Sequence, residues 1–256
     1  MRAIWSGSLS FGLVNIPIKL YSAVEPKELS FNLLHKTDLS PIRFARVCRK
    51  DGKEIPYEDI VKGYEYEEGD YVVMDNEDFK KANVRETSTI EILSFAEASE
   101  IDPLLFEKPY YLEPDKSKKS YALLAKALKK TKKVGVAKFV MRDREHLAVV
   151  RPEDNLIILE QLRFKHEIRG HEELKLPDTN EVGEREVALA VQLIEQLTAP
   201  FDPDEYKDTY SDDLKQIIEA KAKGKSPRAK GVAPQPMKIN DLMTVLKKSL
   251  EKEKQR

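Results

Sequence analysis

Short β-branched and aromatic runs dominate the first two-thirds of the chain, and helical periodicity takes over in the last third. The segments 70–75, 89–96, 109–114, 134–141, 146–152 and 155–164 are separated by Gly, Pro, Asp or Asn and read as strands. Many short strands with one internal helix predict a barrel or a sandwich core. Asp51-Gly52 is the best hairpin turn in the chain: as the central pair of a two-residue turn, both residues would take positive φ and join 42–48 to 53–57. If 42–48 is a regular strand, Arg43 and Arg49 share one face and Arg46 points to the other.

The internal helix is predicted over 120–133, with Tyr121, Leu124 and Leu128 on one side. Lys126, Lys129, Lys130 and Lys133 recur at i, i+3, i+4 and i+7 on the opposite side, a basic stripe behind an apolar seam. A second helix over 184–198 gathers Val187, Val191, Ile194 and Leu197. In 202–205, Asp-Pro-Asp-Glu supplies an N-cap, a proline at the first helical position and an acid near the start, so a third helix is expected from there through Tyr206, Tyr210, Leu214 and Ile218. The stretch 220–236 is rich in Lys, Ala, Gly and Pro and cannot form a core, so it reads as a flexible basic linker. Beyond it, Ile239, Leu242, Met243, Leu246 and Leu250 recover an amphipathic helical pattern suited to docking on a partner.

Charge changes this picture. The formal net charge of the 256 residues is −1, an argument against a nucleic-acid binder. Its distribution says otherwise: 221–256 holds 11 Lys and Arg against 3 acids, 54–115 holds 18 acids against 5 bases, and 116–133 holds 8 lysines and no acid. A basic binding surface on an acidic exterior gives this pattern, because local field rather than total charge governs phosphate binding. In the absence of other signals, solvated surface is the more ordinary explanation of such charge runs. Cys48 is the only cysteine, so no internal disulfide is expected and a reducing cytoplasm fits. No apolar run has the length of a membrane span.

Catalytic constellations are hard to find. His166 and His171 are five residues apart, one too many for a shared helical face in a zinc-protease motif. Gly224-Lys225-Ser226 resembles the end of a phosphate-binding loop, yet Glu219 stands where that motif needs glycine. Acidic pairs such as Asp212-Asp213 suit an exposed helix face better than a metal site. No catalytic residue, metal or cofactor is expected. A binding protein is favoured over a DNA-processing enzyme (an abasic-site lyase using one of the lysines, or a nuclease) and over a scaffold for RNA or proteins.

Several segments in order resemble the bacterial Ku family. IWSGSLSFGLVNIPIKLY (4–21) resembles that family's opening strands, and VCRKDGKEIPYEDIVKGYEYEEGDYVV (47–73) its hairpin and acidic stretch. KPYYLEPDKSKKSYALLAKAL (108–128), FDPDEYKDTYSDDL (201–214) and the linker with its terminal segment also fit. The resemblance implies a mixed β/α fold: a β-barrel core, an extended DNA-encircling bridge and a C-terminal helical arm. It implies a homodimeric ring that loads on double-stranded DNA ends without sequence preference and recruits DNA ligase D in non-homologous end joining, in the cytoplasm near the nucleoid.

On that basis the chain divides into a barrel with bridge (1–183), a dimerising arm (184–220), the basic linker (221–236) and a docking segment (237–256). The implied bridge covers roughly 25–57, with Lys27, Lys36, Arg43, Arg46, Arg49 and Lys50 as candidate DNA contacts. Lys19, Lys126, Lys129, Lys130, Lys133, Arg142 and Arg144 complete the candidate lining. Trp5, Phe11, Tyr21, Tyr110 and Tyr111 are expected in the core, since a duplex end-binder has little need to stack on bases. The pattern at Ile239, Leu242, Met243, Leu246 and Leu250 becomes the expected ligase contact.

Overall fold

A computed structural model describes residues 1–82, 88–142, 144–178 and 182–225. It resolves into two units, 1–170 and 171–256. In the first, seven strands close into a barrel in the order β1 (Trp5–Phe11), β2 (Val14–Ser22), β6 (Phe106–Pro114), β9 (Leu156–Leu162), β8 (Arg144–Glu153), β7 (Lys133–Met141) and β5 (Thr89–Glu97). Two further strands, β3 (Lys62–Glu67) and β4 (Asp70–Met74), form a separate hairpin, followed by the short helix α1 (Asn76–Ala82).

Every barrel pairing is antiparallel except the one that closes it, where β1 runs parallel to β5 from Ser8↔Thr89 to Phe11↔Ile92. Gly7 makes this seam possible. A Cβ there would stand 2.1 Å from the Ser88 carbonyl oxygen and 2.3 Å from the Trp5 ring. Only a residue without a side chain lets the two backbones meet under that indole.

Alternation fills the barrel. Ile16, Ile18 and Leu20 of β2 point inward, joined by Leu9, Ile90, Leu112, Phe139, Val150 and Leu159 from the other strands. The helix α2 (Lys118–Thr131) adds Tyr121, Leu124, Ala125 and Leu128 to the same core. Tyr110 is buried, and Trp5 and Phe11 pack against the core, as expected; Tyr21 and Tyr111 are only half-buried and line open surface clefts. Their strand positions alternate with Leu20, Tyr110 and Leu112, so they face outward.

Tyr121 ties helix to barrel through its hydroxyl. It donates to the Leu112 carbonyl at 2.6 Å and accepts from the Ile157 N–H at 2.7 Å. Leu112 and Ile157 are opposite residues at the end of the β6–β9 ladder, so the phenol bridges the two strands. Burial pushes the Tyr121 hydroxyl pKa above its ordinary value, although the Ile157 N–H bond pulls the other way.

From Ala23 to Ser88 the chain leaves the barrel, and no described residue in this excursion is buried. It begins as two narrow hairpins. The predicted strand 42–48 is not a regular strand; within it only Val47 forms an isolated bridge, to Glu54, and a second bridge, Leu34↔Pro41, lies just before it. Without a covered face there is no alternation for a strand to exploit. The Asp51-Gly52 turn is present but differs in type: Gly52 alone has positive φ (+74°), and Arg49 to Gly52 form a four-residue loop between Cys48 and Lys53. The Lys53 N–H reaches the Asp51 carboxylate at 3.3 Å, so that side chain serves the turn while the glycine takes the left-handed position.

α2 begins two residues earlier than expected and stops at Lys132, whose φ of +55° is a left-handed cap. Lys133 therefore opens β7 and leaves the helical stripe. The second unit holds α3 (Glu184–Leu197) and α4 (Thr209–Ala222), again with no described residue buried. Asp202 caps only a 3-10 turn over Pro203–Glu205, accepting from the Asp204 N–H at 2.9 Å. The helix proper waits for Asp208, which accepts from the Ser211 N–H at 3.0 Å. The docking segment 237–256, with Ile239, Leu242, Met243, Leu246 and Leu250, and most of the linker lie outside the described residues. Among those described, no helix is long and apolar enough to cross a membrane.

Tyr121→Phe should lower unfolding stability by about 1–3 kcal/mol, since it strands a buried carbonyl and a buried N–H. Tyr21→Phe, whose hydroxyl meets Glu113 at the exposed surface, should change melting little. Equal shifts in the two melting curves would show that the phenol bridge contributes nothing of its own.

Candidate nucleic-acid interface

The expected cations separate into two sets according to whether a carboxylate already holds them. On the barrel, Lys19 meets Asp115 at 2.9 Å and Lys133 meets Glu97 at 2.8 Å. Hydrogen bonding and attraction to these carboxylates raise both lysine pKa values above the ordinary lysine value. Asp115 is lowered in turn, first by its hydrogen bond to Lys19. A lysine nucleophile needs the opposite shift, so neither suits Schiff-base chemistry.

The second set is carried on loops. Lys27 and Lys36 are exposed on the excursion, with no ion pair among the described residues. Arg43 reaches Glu54 at 3.3 Å across its hairpin while remaining largely exposed. Arg46 lies 5.0 Å over the Tyr57 ring, which orients the guanidinium without neutralising it. Arg49 and Lys50 sit in the loop that ends at Gly52, both exposed. This hairpin brings Arg46, Arg49 and Lys50 together within five residues, and an irregular ribbon is not bound to strict side alternation.

Arg142 and Arg144 lie at the β7–β8 turn, where Arg142 takes φ +56°. On α2, Lys126 and Lys130 are exposed on the face opposite the core, and Lys129 approaches Asp154 at 3.5 Å. Lys119 belongs to the same outer face and was missed; extending the pattern from Lys126 by seven residues, two turns towards the N-terminus, would have found it. The ribbon, the β7–β8 turn and α2 are thus three separate basic elements.

Chemistry beyond binding has little to work with. A groove of about 350 Å³ gathers Glu107, Arg144, His146, Gln161 and His166. His146 meets the Met141 carbonyl at 3.3 Å and His166 stacks on Phe164 at 5.6 Å, so neither ring addresses a nucleophile. Among the described residues no three His, Cys, Asp or Glu side chains are grouped to hold a metal ion. The arrangement is suited to holding a polyanion through loop cations.

The Ku70/Ku80 beta-barrel domain family model matches residues 10–189. The chain is 43% identical over 255 residues to a protein of Opitutus terrae named non-homologous end joining protein Ku, covering 98% of this chain and 91% of that one. Proteins of the same name are 42% identical over 255 residues in Archaeoglobus fulgidus (98% and 99% covered) and 39% identical over 256 residues in Bacillus subtilis (98% and 82% covered).

Replacing Arg49 and Lys50 together by alanine should leave melting unchanged and reduce the salt slope of duplex DNA binding by about 2. Lys133→Ala should do the reverse, lowering melting slightly with the slope intact. Titrating each variant against one short duplex at several salt concentrations checks this, and an unchanged slope for the double variant removes the loop from the interface.

Proposed function

This chain belongs to the Ku family, and on that premise we propose that it binds double-stranded DNA ends in non-homologous end joining, as a ring closed by two copies. The observation that carries this reading is the excursion from Ala23 to Ser88. It is long, buries none of its described residues and presents Arg46, Arg49 and Lys50 with no carboxylate partner among the described residues. An extended segment that cannot cover itself needs a second surface, and its cations need an anion.

A ring that accepts any sequence touches phosphates and sugars rather than base edges. The loop cations Lys27, Lys36, Arg43, Arg46, Arg49 and Lys50 are proposed as its lining, with Arg142 and Arg144 as a second contact. Lys19 and Lys133 are already engaged and are left out. The relatives' shared name places them in end joining, and the same role is inferred here.

Dimerisation is assigned to the segment 184–220. Val187, Val191 and Ile194 on α3 and Tyr210 and Ile218 on α4 are exposed, an apolar surface that a partner subunit would cover. The linker 221–236 and the docking segment 237–256 are assigned to recruiting DNA ligase D, with Ile239, Leu242, Met243, Leu246 and Leu250 as the contact. The protein's part is binding and recruitment, without catalysis of its own.

Gel-shift binding to one plasmid in linear and covalently closed form tests the ring. Strong binding to the linear form, with closed circles failing to compete, is expected. Equal binding to both would mean side-on electrostatic association and would end the ring mechanism. Truncation after residue 230 should keep end binding and abolish stimulation of ligation; loss of end binding in that variant would sink the division of labour.

A further inference from the structure

Tyr121 ties α2 to the end of the barrel at which Leu112 and Ile157 pair. The other end is polar. On β8, Arg144, His146 and Ala148 alternate and pair with Met141, Phe139 and Ala137, and Gln161 of β9 pairs with Ala148. Ala137, Phe139 and Ala148 belong to the core, so Arg144, His146 and Gln161 share the inward side. They step from buried Gln161 through half-buried His146 to exposed Arg144. Gln161 accepts from the Tyr110 hydroxyl at 3.2 Å and donates to the Glu107 carboxylate at 3.0 Å.

The groove of about 350 Å³ opens on this rim and adds Phe164 and His166 from the turn after β9. Ligand pockets start at roughly 300 Å³, so the groove suits one small molecule and shuts out a duplex. His166 is exposed and stacks on Phe164 at 5.6 Å with the planes 15° apart, which leaves its other face for a further planar group. Beside it stand the Gln161 amide and the Glu107 carboxylate, which address the N–H donors and ring nitrogens of a heterocycle. Arg144 has no ion pair among the described residues, while its neighbour Glu145 is held by Lys138 at 3.0 Å and Glu167 accepts from the Phe164 N–H at 2.7 Å. The guanidinium is left for an anion tethered to that heterocycle. A planar heterocycle joined to a phosphate is a nucleotide.

We propose that this rim holds one unpaired nucleotide, its base stacked on His166 and bonded by Gln161 and Glu107, its phosphate on Arg144. This rests on the end-loading reading above, which already gives Arg144 to DNA. The excursion leaves the barrel at the same end: Ser22 pairs with Tyr110, and the Ala23 N–H reaches the Pro109 carbonyl at 3.2 Å. An overhanging nucleotide at a DNA end and a free mononucleotide offer the same chemistry. With an overhang bound, the rim tells such an end from a blunt one without reading its sequence, because every base has a stacking face.

The full chain is titrated with a blunt duplex, with the same duplex carrying a short overhang of either polarity, and with free 2-aminopurine nucleotide. 2-Aminopurine in the overhang reports stacking by loss of fluorescence. Expected for the parent is about tenfold tighter binding of one overhang polarity than of the blunt duplex, with quenching. His166→Ala and Glu107→Ala should lose the preference and the quenching while binding the blunt duplex within about twofold of the parent, and His166→Phe should keep both. Quenching of the free nucleotide but not of the overhang, with the same dependence on His166, would assign the rim to a mononucleotide. Quenching of neither probe by the parent, or quenching that survives His166→Ala, would overturn the proposal. So would a His166→Phe variant as defective as His166→Ala, which would make the ring a structural support, or blunt-duplex binding lost in His166→Ala, which would make it duplex lining. A parent protein that binds no blunt duplex would remove the end-loading reading alone, since the free nucleotide reads the rim by itself.

Discussion

The parallel pairing of β1 with β5 governs where everything outside the barrel can go. β2 runs antiparallel to β1, so its end at Ser22 lies at the end where β1 begins. β5 runs parallel to β1, and its start at Thr89 lies level with Ser8, midway along β1. The roots of the excursion are thus separated by one intervening strand and by about five residues along it, about 20 Å at ordinary strand spacing and rise. A long insertion whose ends are held this close costs little more than a short one, because closure entropy grows only with the logarithm of length. Gly7 is the local condition for the seam, since any side chain there collides with the Ser88 carbonyl and the Trp5 indole.

Inside the closed sheet the hydrophobic effect is satisfied locally. Leu9, Ile16, Ile18, Leu20, Ile90, Leu112, Ile157 and Leu159 are fully buried, and α2 supplies Leu124 and Leu128. The excursion and the helices of the second unit have no such core. Phe31, Phe44, Tyr64 and Tyr71 on the excursion, and Ile194, Phe201 and Tyr210 in the second unit, remain exposed. The barrel thus carries its own core, whereas the described residues of the excursion and of the second unit keep their apolar side chains exposed.

Much of this was legible in advance, and the failures have physical causes. Short strands separated by turn residues pointed to a barrel or a sandwich, the resemblance to the Ku family chose the barrel, and the apolar seam of α2 followed from its period. The closure of the sheet did not, because a parallel pair between residues 8–11 and 89–92 leaves no local signal. Lys133 fitted a helical stripe by spacing, but the left-handed Lys132 ends the helix first and Glu97 claims the side chain. Asp202 and Asp208 both open with cap chemistry, and only the second is followed by an unbroken helical run, with no proline in its first turn. The candidate interface was legible as charge. Which cations carboxylates had already taken was not, since Asp115 and Glu97 meet Lys19 and Lys133 only across strands.

That sorting answers the objection raised by a net charge of −1. Acids and bases are nearly equal in number, but they are not mixed at random. Barrel-surface bases such as Lys19, Lys133, Lys138 and Arg151 are matched by Asp115, Glu97, Glu145 and Glu160. The acids in excess gather from Glu58 to Asp78, after the hairpin that carries Arg46, Arg49 and Lys50. At physiological ionic strength the field of an exposed charge fades within about 8 Å. A charge beside that hairpin therefore senses chiefly the ionic groups within that distance, Arg46, Arg49 and Lys50 among them. A net charge near zero is therefore no argument against a local basic surface, because local field rather than total charge decides what such a surface attracts.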